Sequence, residues 1–121
     1  MSALGWVGVA VLGGLGALLR FLLDALVSSR AGRDRPFSTL AVNVSGALGL
    51  GLLAGLSLSG DALVLAGGAA LGSFTTFSTW MFETQRLVED GDARSAAGNA
   101  LVSLAVGLGA VALGRVIGGQ L

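Results

Sequence analysis

The chain has 121 residues, 54% of them hydrophobic and 12% charged, with a formal net charge of zero and a mean hydropathy of +0.86. That composition excludes an ordinary soluble surface, and the absence of cysteine and histidine removes disulfides, thiolate metal sites and the usual near-neutral general base. All seven basic residues are arginine and form no stripe with interleaved aromatics, which argues against nucleic-acid binding and leaves no nucleic-acid partner.

Spans of about 20 residues fit this length four times with short connections, so the expected fold is an all-α membrane protein of four transmembrane helices in one domain, 1–121. The first span is expected over about 4–27, apolar except for Arg20 and Asp24, which lie four apart on one helical face. It lacks a basic leader and a cleavage site, so it is expected to be retained structure and not a signal peptide. The polar hinge SSRAGRDRP ends at Pro36, which suits the start of a helix because proline has no amide hydrogen to be orphaned there. A second span is expected over about 37–58, with Asn43 and Ser45 among apolar neighbours, and a third over about 62–88 after a turn at 59–61.

The third span carries GSFTTFSTW at 72–80: five hydroxyls, three rings and a glycine in nine residues. Gly67, Gly68 and Gly72 weaken the helix just before hydroxyls that can bond back to main-chain carbonyls, so a break is expected near the middle of this span. Irregular backbone at membrane depth survives only where protein or a lined cavity covers it, and freed carbonyls there coordinate hard cations. A continuous helix, with its hydroxyls bonded one turn back and its rings packed in a core, is the competing reading. Phe77 and Trp80 are three apart and share a face. Ring edges attract an anion weakly while hydroxyls donate hydrogen bonds; ring faces suit a cation instead. No carboxylate lies mid-span in the second, third or fourth segment, which favours an anion or a neutral solute.

The fourth span is expected over about 96–117, with Asn99 and Ser103 on one face. Glycine makes up 21 residues, and spacings such as Gly51 to Gly55 let helix backbones meet where lipid supplies little hydrophobic drive. The connections after the first and third spans hold Arg30, Arg33, Arg35, Arg86 and Arg94, against Arg115 alone on the opposite side. By the positive-inside rule that bias places the termini outside.

GSFTTFSTW and the following ETQRLVEDG resemble the CrcB (Fluc) family of fluoride channels, whose third helix reads roughly GGFTTFSTF followed by Glu-Thr. GGLGALLRF at 13–21 resembles the family's GGxxGAxxR, RPFSTLAVNVSGALGLG at 35–51 its PxGTLxVNxxG, and NALVSLAVGLG at 99–109 its looser fourth-helix pattern. The resemblance implies an antiparallel, dual-topology dimer of four-helix subunits in the cell membrane that exports fluoride passively. It also implies a central structural sodium held by main-chain carbonyls, here those of Gly72 and Thr75. The pathway would carry Phe77 and Trp80 as paired rings, Asn43, and a hydroxyl track of Ser78, Thr79 and Ser103, with Arg20 and Glu83 at a vestibule.

Two departures stand out. Trp80 takes the place of a usual phenylalanine, adding an indole N–H and width, and Gly107 stands where some members carry a second serine. The arginine bias raises a heterodimer with an oppositely oriented paralogue beside the homodimer. Two other classes compete: a small proton-coupled multidrug antiporter, for which Asp24 is the only candidate carboxylate, and a non-transporting membrane scaffold subunit.

Overall fold

The computed structural model describes residues 1–32 and 36–121; Arg33, Asp34 and Arg35, two of which enter the orientation argument, lie outside the described residues. Among the described residues the structure is all-helical, with four helical stretches long and apolar enough to cross a membrane. Helix α1 (Ala3–Ala31) opens at Ser2, whose hydroxyl accepts from the Gly5 N–H at 3.1 Å, and closes at Gly32, where φ is 88°. It runs past the expected end at 27 because nothing in Ser28–Arg30 breaks a helix; the stop is the glycine. Helix α2 (Phe37–Gly55) follows Pro36 and stops short of the expected 58, where Ser57 takes a left-handed φ of 59°.

The third crossing, Gly60–Glu89, is built in pieces. A turn of α3 (Gly60–Leu63) passes into a π-helical stretch, Val64–Leu71, and then into α4 (Gly72–Phe74). Residues 75–77 are not helical, and α5 (Ser78–Glu89) completes the crossing before α6 (Ala93–Gly119). The span is therefore broken near its middle, as its glycine and hydroxyl content predicts. The break falls three residues after the glycine that drew attention: Gly72 is helical (φ −62°, ψ −38°), whereas Thr75 is extended (φ −82°, ψ 163°). Glycine permits a break but does not compel one; the hydroxyl residues are where the chain leaves the helix. The wide π turn before it is not signalled by any periodicity.

Close backbone approaches set the topology. A Cβ at Gly51 would meet Val111, one at Gly55 would meet Arg115, and those at Gly114 and Gly118 would meet Leu48 and Leu52. Positions on α2 and α6 thus advance together, so the two helices run parallel, joined along glycine seams. In the same way Gly8 faces Leu65 and Gly16 faces Ala70 and Ser73, so α1 runs parallel to the first half of the third crossing. Successive crossings alternate in direction. Among the described residues the buried hydrophobic side chains are Val42, Ala69 and Ala96, so the interior is made of backbone contacts and not of large side chains. Leucines and valines instead cover the outside of α1 and α6, as a lipid-facing surface requires.

The turn into α6 supplies a pH-dependent cap. The Asp92 carboxylate accepts from the Ser95 N–H at 3.0 Å, and bonding to the Ser95 side chain and backbone holds its pKa below the ordinary carboxylate value. A lowered folded-state pKa means stabilisation that is complete above the unfolded value and lost as pH falls through the folded one. Asp92→Ala is expected to lower the thermal midpoint in detergent at pH 7 and to leave it unchanged at strongly acidic pH, as followed by circular dichroism.

Candidate functional site

The break at 75–77 leaves main-chain groups without helical partners, and Asn43 of α2 takes them up. Its Oδ1 accepts from the Thr76 N–H and its Nδ2 donates to the Thr76 carbonyl, both at 2.8 Å. The side-chain amide thus pairs with both polar groups of one peptide residue, as a neighbouring strand would. Gly46, one turn along α2, lets Thr75 and Phe74 lie directly on that helix. One Asn43 amide hydrogen is left over, since the NH₂ group carries two.

This pairing changes what the carbonyls before the break can do. In a continuous helix the Thr76 N–H would bond to Gly72; diverted to Asn43, it releases the Gly72 oxygen. The Thr75 N–H still bonds to Leu71 at 3.0 Å, but its own carbonyl lies beyond the helix and accepts from Arg20 Nη1 at 3.2 Å. A carbonyl has two lone pairs, so Thr75 keeps one. The donor set suits sodium, a hard cation that prefers oxygen, and among the described residues no cluster of three carboxylate, histidine or cysteine groups offers another metal site. The implied cation site at Gly72 and Thr75 therefore fits the residues present, with two oxygens from one chain.

Two hollows flank the break. One, about 240 Å³, is lined by Ala17, Arg20, Phe21, Asp24, Thr39, Val42, Thr76 and Thr79. Arg20 and Asp24 face it without forming an ion pair, so the arginine is spent on the break and not on its helical neighbour. At its edge Thr39, a residue only 4% exposed, donates its hydroxyl to Glu83 Oε1, while Glu83 Oε2 is buried without a partner among the described residues. The other hollow, about 340 Å³, is an open groove whose walls include Asn43, Gly46, Gly72, Thr75, Thr76, Phe77 and Trp80.

Phe77 and Trp80 come together as their spacing predicts: ring centroids are 5.7 Å apart and the planes meet at 87°, edge to face. Phe77 is 69% exposed. The hydroxyls divide into two kinds. Ser73 and Thr75 bond back to Ala69 and Leu71, as the continuous-helix reading has it. Thr76 instead caps α5, its Oγ1 accepting from the Thr79 N–H at 3.2 Å and lying within 3.3 Å of the Ser78 and Thr79 hydroxyls. Ser78 and Thr79 are exposed. Thr76 was missed as a site residue, although a threonine just before a helix start is a favoured cap.

The Trp80 indole N–H is not free. It donates to the Asn99 carbonyl of α6 at 3.2 Å, the Asn99 side chain donates to Thr84 Oγ1 at 2.8 Å, and Thr84 Oγ1 donates to the Trp80 carbonyl at 2.9 Å. The N–H that Trp80 adds in place of a phenylalanine is thus committed to α6. Asn99 makes the interhelical bond that its position in a span leads one to expect. Ser103 is half-buried and lines neither hollow, so one chain alone does not bring it into the same wall as Phe77.

Comparison with known proteins points one way. Residues 7–115 match the family described as CrcB-like protein, Camphor Resistance (CrcB). A Mycobacterium bovis protein named fluoride-specific ion channel FluC 2 is 53% identical over 112 residues, covering 93% of this chain and 89% of its own. One of that name from Mycolicibacterium paratuberculosis is 53% identical over 110 residues, 91% of this chain and 90% of its own. Fluoride-specific ion channel FluC 1 of Symbiobacterium thermophilum is 42% identical over 119 residues, 93% of this chain and 96% of its own. With four membrane-crossing segments and a match across nearly its whole length, the chain belongs to the CrcB family of multi-pass membrane proteins.

Proposed function

We propose that the chain is one subunit of a fluoride-selective channel, and that two subunits in opposite orientations form it. The observation that carries the reading is the open groove at the break. Backbone left without a partner at mid-membrane must be covered by protein or line a cavity, and here the Gly72 and Thr75 carbonyls belong to a groove whose other walls are largely apolar, Leu50, Leu71, Val111, Phe77 and Trp80 among them. An oppositely oriented second chain covers the groove and gives each subunit a counterpart for its ring pair. The partner is a copy of this chain or a paralogue of opposite arginine bias; among the described arginines, Arg30, Arg86 and Arg94 lie at one end of the helices and Arg115 at the other.

Fluoride is small and strongly hydrated, so a narrow path must replace its water shell by donors held in place. Arg20 and the hollow around it draw the anion from the aqueous side; a positive group in a low-dielectric cleft focuses the field. Ser78 and Thr79 hydroxyls offer donors beside the Phe77 and Trp80 ring edges, with Ser103 of α6 and the spare Asn43 amide hydrogen completing the track. Each contact is weak, as passage demands. Bound at the four Gly72 and Thr75 carbonyls of a dimer, sodium would supply fixed positive charge and cross-link the two breaks. Hydrogen fluoride crosses lipid inward and dissociates, so a passive route for the anion suffices to lower internal fluoride.

The test is ion efflux from proteoliposomes under a potassium gradient. Fluoride efflux that requires valinomycin, with chloride retained, is the expected result. Phe77→Ile should abolish it while the assembly keeps its elution volume, and undiminished flux would remove Phe77 from the pathway. Flux from the purified chain alone identifies the homodimer; flux that appears only when an oppositely biased paralogue is co-expressed identifies the heterodimer. Proton-coupled movement of a lipophilic cation would replace the channel reading by the antiporter.

A further inference from the structure

Within the membrane crossings, hydroxyls bond back to main-chain carbonyls one turn earlier: Ser45 to Ala41 at 2.7 Å and Val42 at 3.0 Å, Ser73 to Ala69 at 2.7 Å and Ala70 at 3.1 Å, and Thr84 to Trp80 at 2.9 Å, the bond four residues back being the shorter where both form. That is the ordinary resting place for a serine or threonine proton in lipid. Ser103, ten residues into α6, makes no such bond, and among the described residues its hydroxyl has no partner. Its acceptor four residues back, where the shorter bond of Ser45 and of Ser73 is made, would be the carbonyl of Asn99. That oxygen has two lone pairs. One takes the helical N–H of Ser103 itself, and the other takes the indole N–H of Trp80.

We propose that Trp80 acts as a positioning residue for Ser103: by filling the last acceptor site on Asn99, its N–H keeps the Ser103 hydroxyl proton available for fluoride. This rests on the reading above that Ser103 lies on the pathway. The tryptophan therefore contributes more than a ring edge. It spends its own donor on the helix so that a smaller, better-placed donor stays free. Thr84 and the Asn99 side chain hold the arrangement by tying α5 to α6 on the same turn.

Two variants separate the N–H from the ring. Trp80→Phe removes both indole width and donor, whereas incorporation of 3-benzothienylalanine at position 80 keeps the bicyclic shape and removes only the N–H. Fluoride efflux is compared with and without Ser103→Ala in each background, on the conducting assembly in proteoliposomes. Loss of a hydrogen bond to an anion is expected to slow flux about tenfold with the indole present, and Ser103→Ala should then change flux less than about twofold with either replacement, because the freed carbonyl already holds the hydroxyl. The same factor in all backgrounds overturns the inference and leaves Ser103 on the pathway. No effect of Ser103→Ala in any background overturns the pathway role as well. Independently of flux, ultraviolet resonance Raman on a Trp6→Phe background, in which Trp80 is the only tryptophan, should report a hydrogen-bonded indole; a free one overturns the inference.

Discussion

Asn43→Ala is expected to stop fluoride flux completely and to lower the thermal midpoint of the assembly, although the residue is a single amide on a helix flank. The alanine leaves both the N–H and the carbonyl of Thr76 without a partner, and each buried orphan costs roughly 1–3 kcal/mol. The cheapest relief is for Thr76 to rebond to Gly72 and continue the helix. That would rotate Phe77 and the Thr76 cap out of place and consume the Gly72 oxygen. Asn43→Asp separates the two halves of the pairing: a carboxylate still accepts from the Thr76 N–H but repels the carbonyl, so it should retain some stability and no flux. Efflux assays and thermal melts of both variants check this. Flux in Asn43→Ala within twofold of the parent would mean that the break holds itself open.

The second large effect concerns the seam between α2 and α6. A side chain at Gly114 would run into the Leu48 carbonyl and the Leu52 amide, and one at Gly51 into the Val111 carbonyl. These are backbone atoms within helices, so nothing nearby can give way by changing rotamer. Gly114→Leu should therefore separate the helices and abolish recovery of a monodisperse protein, with a loss well above the ~1–3 kcal/mol typical of overpacking against mobile side chains. Gly107, where an added Cβ meets nothing within 4 Å, is the internal control: Gly107→Ala should express and elute as the parent does. Size-exclusion chromatography after detergent extraction reads both.

The contrast between these two glycines shows what could be read in advance. Spacing marks Gly51 and Gly55 as a contact pair, because four residues return a helix to the same face. It cannot say that the matching pair is Gly114 and Gly118, or that α2 and α6 run parallel, since the partner of a face is a property of the whole bundle. Phe77 and Trp80 were legible as neighbours for the same local reason. The job of the tryptophan N–H was not: its acceptor lies on another helix, at a main-chain oxygen that has no identity in a sequence. Likewise Asn43 reads as a polar residue in a span. Only the geometry shows that it substitutes for the backbone of a missing turn.

The π-helical stretch Val64–Leu71 has a consequence for how this channel tolerates changes in length. A wide turn holds one residue more than an α turn, and each residue advances a helix by about 100°. The residues beyond it that line the groove, Gly72, Thr75, Thr76, Phe77 and Trp80, therefore face it at an angle set by that surplus residue. Removing it would tighten the turn and swing the carbonyls and rings about a quarter-turn toward lipid, with no change to any residue of the site itself. The stretch behaves as a phase setting for the pathway, so related chains aligned across it are comparable at the site only when they keep the same count of residues there.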